Sequence, residues 1–94
     1  MAKTRRTASN VKRRRSAIHR PAYRALLVAL KVTRIRLGFT QVEVCRALGR
    51  PASWLSKCEL GERRLDPIDL QELANVYGVQ LSDLLPPLRR LARL

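Results

Sequence analysis

The segment TQVEVCRALGRPASWLSKCELG, residues 40–61, has the pattern of two short helices joined by a tight turn. Thr40 is suited to be an N-cap, and Glu43 three residues later completes a capping box. Gly49 supplies the backbone freedom that a tight turn between helices needs. Pro51 lies at the entrance of the following helix, where its missing N–H costs little. These signals predict two helices separated by only a few residues.

The apolar and small residues of this segment follow a helix-turn-helix register. When Gln41 is counted as the first position, apolar side chains fall at the fourth, eighth, fifteenth and eighteenth positions, a small side chain at the fifth and glycine at the ninth. In that order the residues are Val44, Leu48, Leu55, Cys58, Cys45 and Gly49. The apolar ones are expected to pack the two helices against each other and against the core. Six agreements in one register are far more specific than a glycine-centred helix pair alone.

A further helix is predicted on each side of this motif. Before it, residues 22–37 carry apolar side chains at helical spacing, and Gly38 supplies a stop. The apolar positions are Leu26, Leu27, Leu30, Ile35 and Leu37. After the motif, Asp66 and Pro67 are a strong helix start, with Asp69 as a second acid in the first turn.

The helix that starts after Asp66 is expected to bury one side against the motif. Its predicted buried residues are Ile68, Leu70, Leu73, Ala74 and Tyr77. Gly78 ends it, and a short fifth helix is predicted over about residues 81–85, before two prolines. No segment shows the alternation of a strand. The predicted fold is therefore all-α, a compact five-helix bundle containing a helix-turn-helix, with a disordered basic N-terminal arm.

The net charge of +13 is unevenly distributed along the 94 residues. Residues 1–20 carry +8 and residues 21–65 carry +6, whereas residues 66–94 carry −1. The positive charge is thus concentrated on the N-terminal segment and on the helix-turn-helix motif. Such a gradient indicates a polyanionic partner more than a general need for solubility.

Three parts of the chain are distinguished by composition. Residues 1–20 form a basic arm without an apolar stripe, predicted to be flexible. Three roles are open for it: a solubilising tail, contact with phosphates or the minor groove, and recruitment of a protein or RNA; nucleic-acid contact is favoured. Residues 21–86 form the predicted DNA-binding domain. Residues 87–94 are a short tail, either a frayed end or part of a dimer contact.

Several function classes are disfavoured by the residues present. The longest apolar run, residues 25–30, is too short to span a bilayer, and no secretion signal is recognisable. The only histidine, His19, lies far from the cysteines, so neither a metal site nor an enzyme is expected, and no cofactor is implied. Cys45 and Cys58 are expected to be buried free thiols; a redox switch between them is the less favoured alternative.

Residues 24–85 resemble the lambda-repressor-like, or Xre-type, helix-turn-helix family of bacterial and phage regulators. The resemblance rests on RLGFTQVEV, CRALGRP, SWLSKCELGERRLD and LQELANVYGVQLSDLL. It implies a bundle of five helices that binds operator DNA as a dimer, with a recognition helix at about residues 52–60 in the major groove. It also implies a cytoplasmic, nucleoid-associated protein without membrane contact.

The resemblance assigns roles to individual residues. Gln41, at the start of the first motif helix, is implied to contact a phosphate. Arg63 and Arg64 lie in the loop that approaches the DNA backbone. Arg34 and Glu59 match a structural ion pair. The residues implied to form the outward face of the recognition helix are Ala52, Ser53, Ser56 and Lys57.

The chain departs from the family pattern at Ala52, where the family often carries a base-reading glutamine. Alanine offers only a methyl group to a thymine methyl, so specificity should move to Ser53, Ser56 and Lys57, together with Arg50. A second departure concerns the cysteines, because the family tends to carry alanine at the fifth motif position and a larger apolar residue at the eighteenth. The volumes roughly compensate, and the fold is expected to survive.

Trp54, the only tryptophan, has two possible roles on the recognition helix. It packs beneath the basic loop near Leu65, or it contacts the DNA backbone or a thymine methyl group. The first is favoured.

A sequence-specific transcriptional regulator, expected to be a repressor that binds an inverted repeat as a homodimer, is the leading functional prediction. An antitoxin with a toxin as partner and a controller of a restriction–modification operon are narrower versions of it. A non-specific nucleic-acid-binding or scaffolding protein is the competing hypothesis, because a base reader is missing at Ala52 and the arm is very basic.

Overall fold

The computed structural model describes residues 20–87, which form five helices connected by short turns and loops. The helices are α1 (Pro21–Arg36), α2 (Gln41–Leu48), α3 (Trp54–Glu59), α4 (Pro67–Tyr77) and α5 (Leu81–Leu84). No strand occurs within this described part, and the all-α, five-helix prediction is confirmed. The predictions for the basic arm and for the C-terminal tail fall on residues 1–19 and 88–94, outside the described residues.

Two reciprocal capping boxes begin the helices on either side of α3. The backbone N–H of Glu43 donates to the Thr40 hydroxyl at 3.1 Å, and the Glu43 carboxylate accepts from the Thr40 N–H at 2.8 Å. At α4, Asp66 accepts from the N–H of Asp69 at 2.7 Å, and the Asp69 carboxylate accepts from the N–H of Asp66 at 3.1 Å. Both boxes satisfy N–H groups that a helix start would leave unpaired.

The buried core draws apolar side chains from all five helices and from the loop before α4. Its members are Leu26, Leu30, Val44, Cys45, Trp54, Leu55, Cys58, Leu65, Leu73, Ala74, Tyr77 and Leu84. Helix α3 packs against α1 and α2, while α4 packs against α2 and α5. Because the two motif helices share this core, their relative orientation is fixed by packing as well as by the turn between them.

Two predictions about α4 and α3 are wrong. Ile68 was expected in the core but is 68% exposed. At 100° per residue, Ile68 lies about 140° around α4 from the fully buried Leu73, so both cannot face the core. Helix α3 begins at Trp54 and not near residue 52, because the preceding residues form a turn in which the Trp54 N–H donates to the Pro51 carbonyl at 2.9 Å.

A hydrogen bond between distant residues ties α1 to the loop that leads into α4. The Tyr23 hydroxyl accepts from the backbone N–H of Leu65 at 3.0 Å.

Among the helices of residues 20–87, none has the length and apolar composition of a membrane-spanning segment.

Candidate nucleic-acid interface

The turn between α2 and α3 is held from beneath by Cys45. Gly49 ends α2 in the left-handed conformation at φ +67°, which a side chain would make unfavourable. The Cys45 sulfur accepts from the backbone N–H of Leu55 at 3.4 Å and lies 3.7 Å from the Ala52 carbonyl, to which its S–H donates. At 1% exposed, this thiol joins the backbone on both sides of the α3 start. A small polar sulfur at the fifth motif position therefore orients α3 as well as permitting close packing.

Four side chains form the outward surface of this region, which we call the reading face: Ala52, Ser53, Ser56 and Lys57. Ala52 and Ser53 are exposed in the turn before α3, Lys57 is exposed on the helix, and Ser56 is half-buried between them. The reading face carries two hydroxyls, one cation and one methyl group. These groups match the donors, acceptors and thymine methyls of base edges in the major groove.

The loop after α3 carries two exposed arginines, Arg63 and Arg64. Gly61 takes a left-handed conformation at φ +81°, and the N–H groups of Glu62 and Arg63 both donate to the Lys57 carbonyl, at 2.9 and 3.2 Å. The backbone of the exposed Arg63 is thereby anchored to the C-terminal part of α3, and the exposed Arg64 follows it in the loop. Exposed cations in this loop are suited to phosphate contact.

A buried ionic cluster lies behind the interface. Arg34 donates through Nε to Glu59 Oε2 at 2.7 Å and through Nη2 to Oε1 at 3.1 Å, with only 10% and 7% of the two side chains exposed. Arg34 also donates to the Phe39 carbonyl at 2.9 Å. The hydrogen bond to Glu59 raises the pKa of Arg34 above its ordinary value despite burial. The cluster joins α1 to α3 and keeps a charged pair satisfied away from water.

Gln41 takes part in the same cluster. Its Nε2 donates to Glu59 Oε1 at 2.8 Å. The side chain that the resemblance assigns to a phosphate contact is therefore already hydrogen-bonded within the protein. An amide nitrogen carries two hydrogens, and the half-buried Gln41 retains capacity for a second acceptor. In this structure, Glu59 orients the Gln41 amide at the start of α2.

Arg50 and Trp54 both make contacts within the protein. Arg50 Nη2 lies 2.6 Å from Asp69 Oδ1 and 3.5 Å from Glu72 Oε1, and its guanidinium stacks 4.6 Å above the Trp54 ring. Arg50 is therefore paired with a carboxylate within the protein, and its expected contact with a base stays a prediction. Trp54 is 4% exposed, which agrees with the packing role that the sequence analysis favours over a DNA contact.

The two cysteines are buried free thiols. Burial, with a smaller contribution from Asp69, raises the pKa of Cys58 to about 11, so this thiol stays protonated near neutral pH. This environment favours the structural alternative over a redox switch. The hydrogen bonds of Cys45 could not be predicted from the residue pattern, because they depend on the folded turn.

Comparison with known proteins identifies the region that contains the helix-turn-helix motif. The sequence model of a helix-turn-helix domain matches residues 25–88. A solved structure described as an XRE-family like protein from Pseudomonas syringae pv. tomato str. DC3000 is similar at 40% sequence identity and a TM-score of 0.66. The similarity covers 73% of this chain and 86% of the other. No curated protein matches the sequence.

Proposed function

The chain belongs to the Xre-type helix-turn-helix family of DNA-binding regulators, and from this premise we propose that it recognises a specific operator with α3 in the major groove. The observation that carries the proposal is the reading face, whose exposed polar groups stand on a turn held by Cys45. A rigid support of this kind places side chains reproducibly against base edges, which sequence recognition requires.

Base contacts and phosphate contacts are divided between two groups of residues. Ser53 and Ser56 would exchange hydrogen bonds with base edges, and Lys57 would donate to a guanine or to a phosphate. Arg63 and Arg64 would contact the DNA backbone from the loop after α3, with Gln41 contacting a phosphate at the start of α2. The backbone contacts set the register, and the reading face supplies the discrimination.

We further propose that two copies bind an inverted repeat and exclude other proteins from a promoter. A single reading face contacts only a few base pairs, and a two-fold symmetric dimer would double the number of base pairs contacted. The half-sites would then lie about 34–36 Å apart, one turn of DNA. Such a repressor acts where the chromosome is, so a cytoplasmic, nucleoid-associated location follows from this proposal.

Antitoxin and restriction–modification controller are narrower versions of the same role. An antitoxin would add a toxin as a protein partner, whereas a controller would need only its operator. The genes encoded beside this one distinguish the two.

Non-specific nucleic-acid binding is the alternative that one observation favours. Ala52 is exposed on the reading face, where it has no hydrogen-bonding group for a base. A protein that relies on phosphates alone would bind all sequences with nearly equal affinity.

Selection of bound sequences from random DNA, followed by competition binding, tests the proposal. A specific regulator should enrich an inverted repeat and prefer it over random DNA by about 10³-fold or more. Lys57→Ala should lower this preference. Lys31→Ala removes the same charge from the exposed surface of α1 and is the matched control, expected to leave the preference unchanged. No enriched sequence would contradict specific reading by α3, whereas an equal effect of the two variants on the preference would assign Lys57 to a phosphate and leave discrimination to Ser53 and Ser56.

A further inference from the structure

A small open notch lies beside the reading face, between α2 and the turn that precedes α3. Its volume is about 240 Å³. The residues that line it are Val42, Cys45, Arg46, Arg50 and Ala52. The notch therefore opens next to the residue at which the family pattern loses its glutamine.

Two residues that line the notch, Val42 and Ala52, expose aliphatic groups beside the cationic residues Arg46 and Arg50. Val42 is 46% exposed although it is a large aliphatic residue, and Ala52 is exposed beside it. Neither side chain belongs to the buried core. Because Val42 is one residue after the N-terminal residue of α2, its side chain lies where that helix would meet DNA. Removing exposed aliphatic groups from water when a ligand binds lowers the free energy of the complex.

The wall is preformed. The Ala52 carbonyl accepts from the Cys45 thiol, and Arg50 is held by Asp69 at 2.6 Å. Arg46, four residues after Val42 on the same face of α2, is exposed at the rim. The notch thus combines two exposed aliphatic side chains with a cation at its edge, which suits a ligand that is apolar at one point and anionic nearby.

We propose that the notch receives the 5-methyl group of a thymine, with Val42 and Ala52 in contact with the methyl and Arg46 on a neighbouring phosphate. Among the groups that base pairs present in the major groove, the thymine methyl is the apolar one. The proposal rests on the proposed function, because it requires α3 to lie in the major groove. It makes Val42 a specificity-determining residue outside the recognition helix.

Replacing thymine by deoxyuridine tests the proposal, because the exchange removes the methyl group and keeps every hydrogen-bonding group. The substitution is made at each thymine of the selected operator in turn, and binding is measured by fluorescence anisotropy. Loss of the critical methyl should weaken binding about fourfold per half-site, the value expected for burying one such group. Substitution at the remaining thymines should have little effect.

Val42 variants test whether this side chain contacts the thymine methyl group. Val42→Ala should weaken binding to the normal operator and reduce the response to deoxyuridine, because Ala52 alone then contacts the methyl closely. Val42→Thr keeps the shape of the side chain and replaces one methyl group by a hydroxyl. It should have the same two effects as Val42→Ala without enlarging the notch. Val28→Ala shortens another exposed valine, on α1, and should retain the full response. Circular dichroism confirms that each variant is folded.

Two results overturn the proposal: equal binding after substitution at every thymine, or a full deoxyuridine response in folded Val42→Ala. Failure to select any operator overturns the proposed function instead. In that case, random duplexes made with thymine or with uracil are compared directly. A preference for thymine that Val42→Ala reduces supports the proposal, whereas equal binding, or a preference that Val42→Ala leaves unchanged, overturns it.

Discussion

Truncation of Glu59 should destabilise the domain far more than truncation of an exposed glutamate. Glu59 accepts from Arg34 at 2.7 and 3.1 Å and from Gln41 at 2.8 Å, and only 7% of its side chain is exposed. Glu59→Ala leaves the Arg34 guanidinium nearly buried without its counter-ion, a loss of about 3–5 kcal/mol. A chain of this length has a total stability of only about 5–14 kcal/mol. The variant should therefore be marginally folded.

Urea unfolding monitored by circular dichroism measures this loss. Glu72→Ala is the matched control, because Glu72 is 44% exposed and lies 3.5 Å from Arg50; it should cost less than about 1 kcal/mol. The double variant Arg34→Met/Glu59→Leu removes both charges and should recover much of the stability, since no buried charge is left unpaired. A loss for Glu59→Ala no larger than that of Glu72→Ala would refute the argument that burial makes this pair important.

Three further predictions concern the arm, the capping box and the thiols. Deletion of residues 1–20, which carry eight basic side chains, should reduce the slope of log affinity against log salt by several units, at about 0.9 per phosphate contact; an unchanged slope would exclude phosphate contact by the arm. The hydrogen bond from the Thr40 N–H lowers the pKa of Glu43 below 4.5, so the stabilising charge is fully present above that pH and is lost as the pH falls through the folded-state pKa. The difference in urea midpoint between wild type and Glu43→Gln should accordingly shrink between about pH 7 and about pH 3; a constant difference would argue against a charge effect. Because burial raises the pKa of Cys58 to about 11, a thiol reagent should label the native protein slowly and the urea-unfolded protein rapidly, and mild oxidant should leave DNA binding intact. Fast labelling of the folded protein would reopen the redox alternative.

The helix starts were predictable because their signals are local. Thr40 with Glu43 and Asp66 with Asp69 are each three residues apart, so the interacting groups can be identified without knowledge of the fold. The start of α3 was misplaced because Pro51 is compatible with both a helix entrance and a turn. The backbone hydrogen bond to its carbonyl shows that the turn is formed.

Side-chain partners across the domain were much less predictable. Arg50 was assigned to DNA from its position in the motif, yet Asp69, nineteen residues later, neutralises it. Trp54 had two possible environments, and the stacked Arg50 guanidinium and the core together bury it. Arg34 and Glu59 were paired through a family resemblance and not by spacing. These contacts depend on how separate helices meet.

The amino-acid sequence was sufficient for the helical class, the caps and the register of the motif, because helix formation depends on interactions within about four residues. The orientation of the reading face was settled only when the helices packed together. Cys45 joins residues on both sides of a turn, Glu59 orients Gln41, and Val42 is left exposed beside Ala52. Each of these features results from packing between helices, whose geometry a linear pattern of apolar residues does not specify.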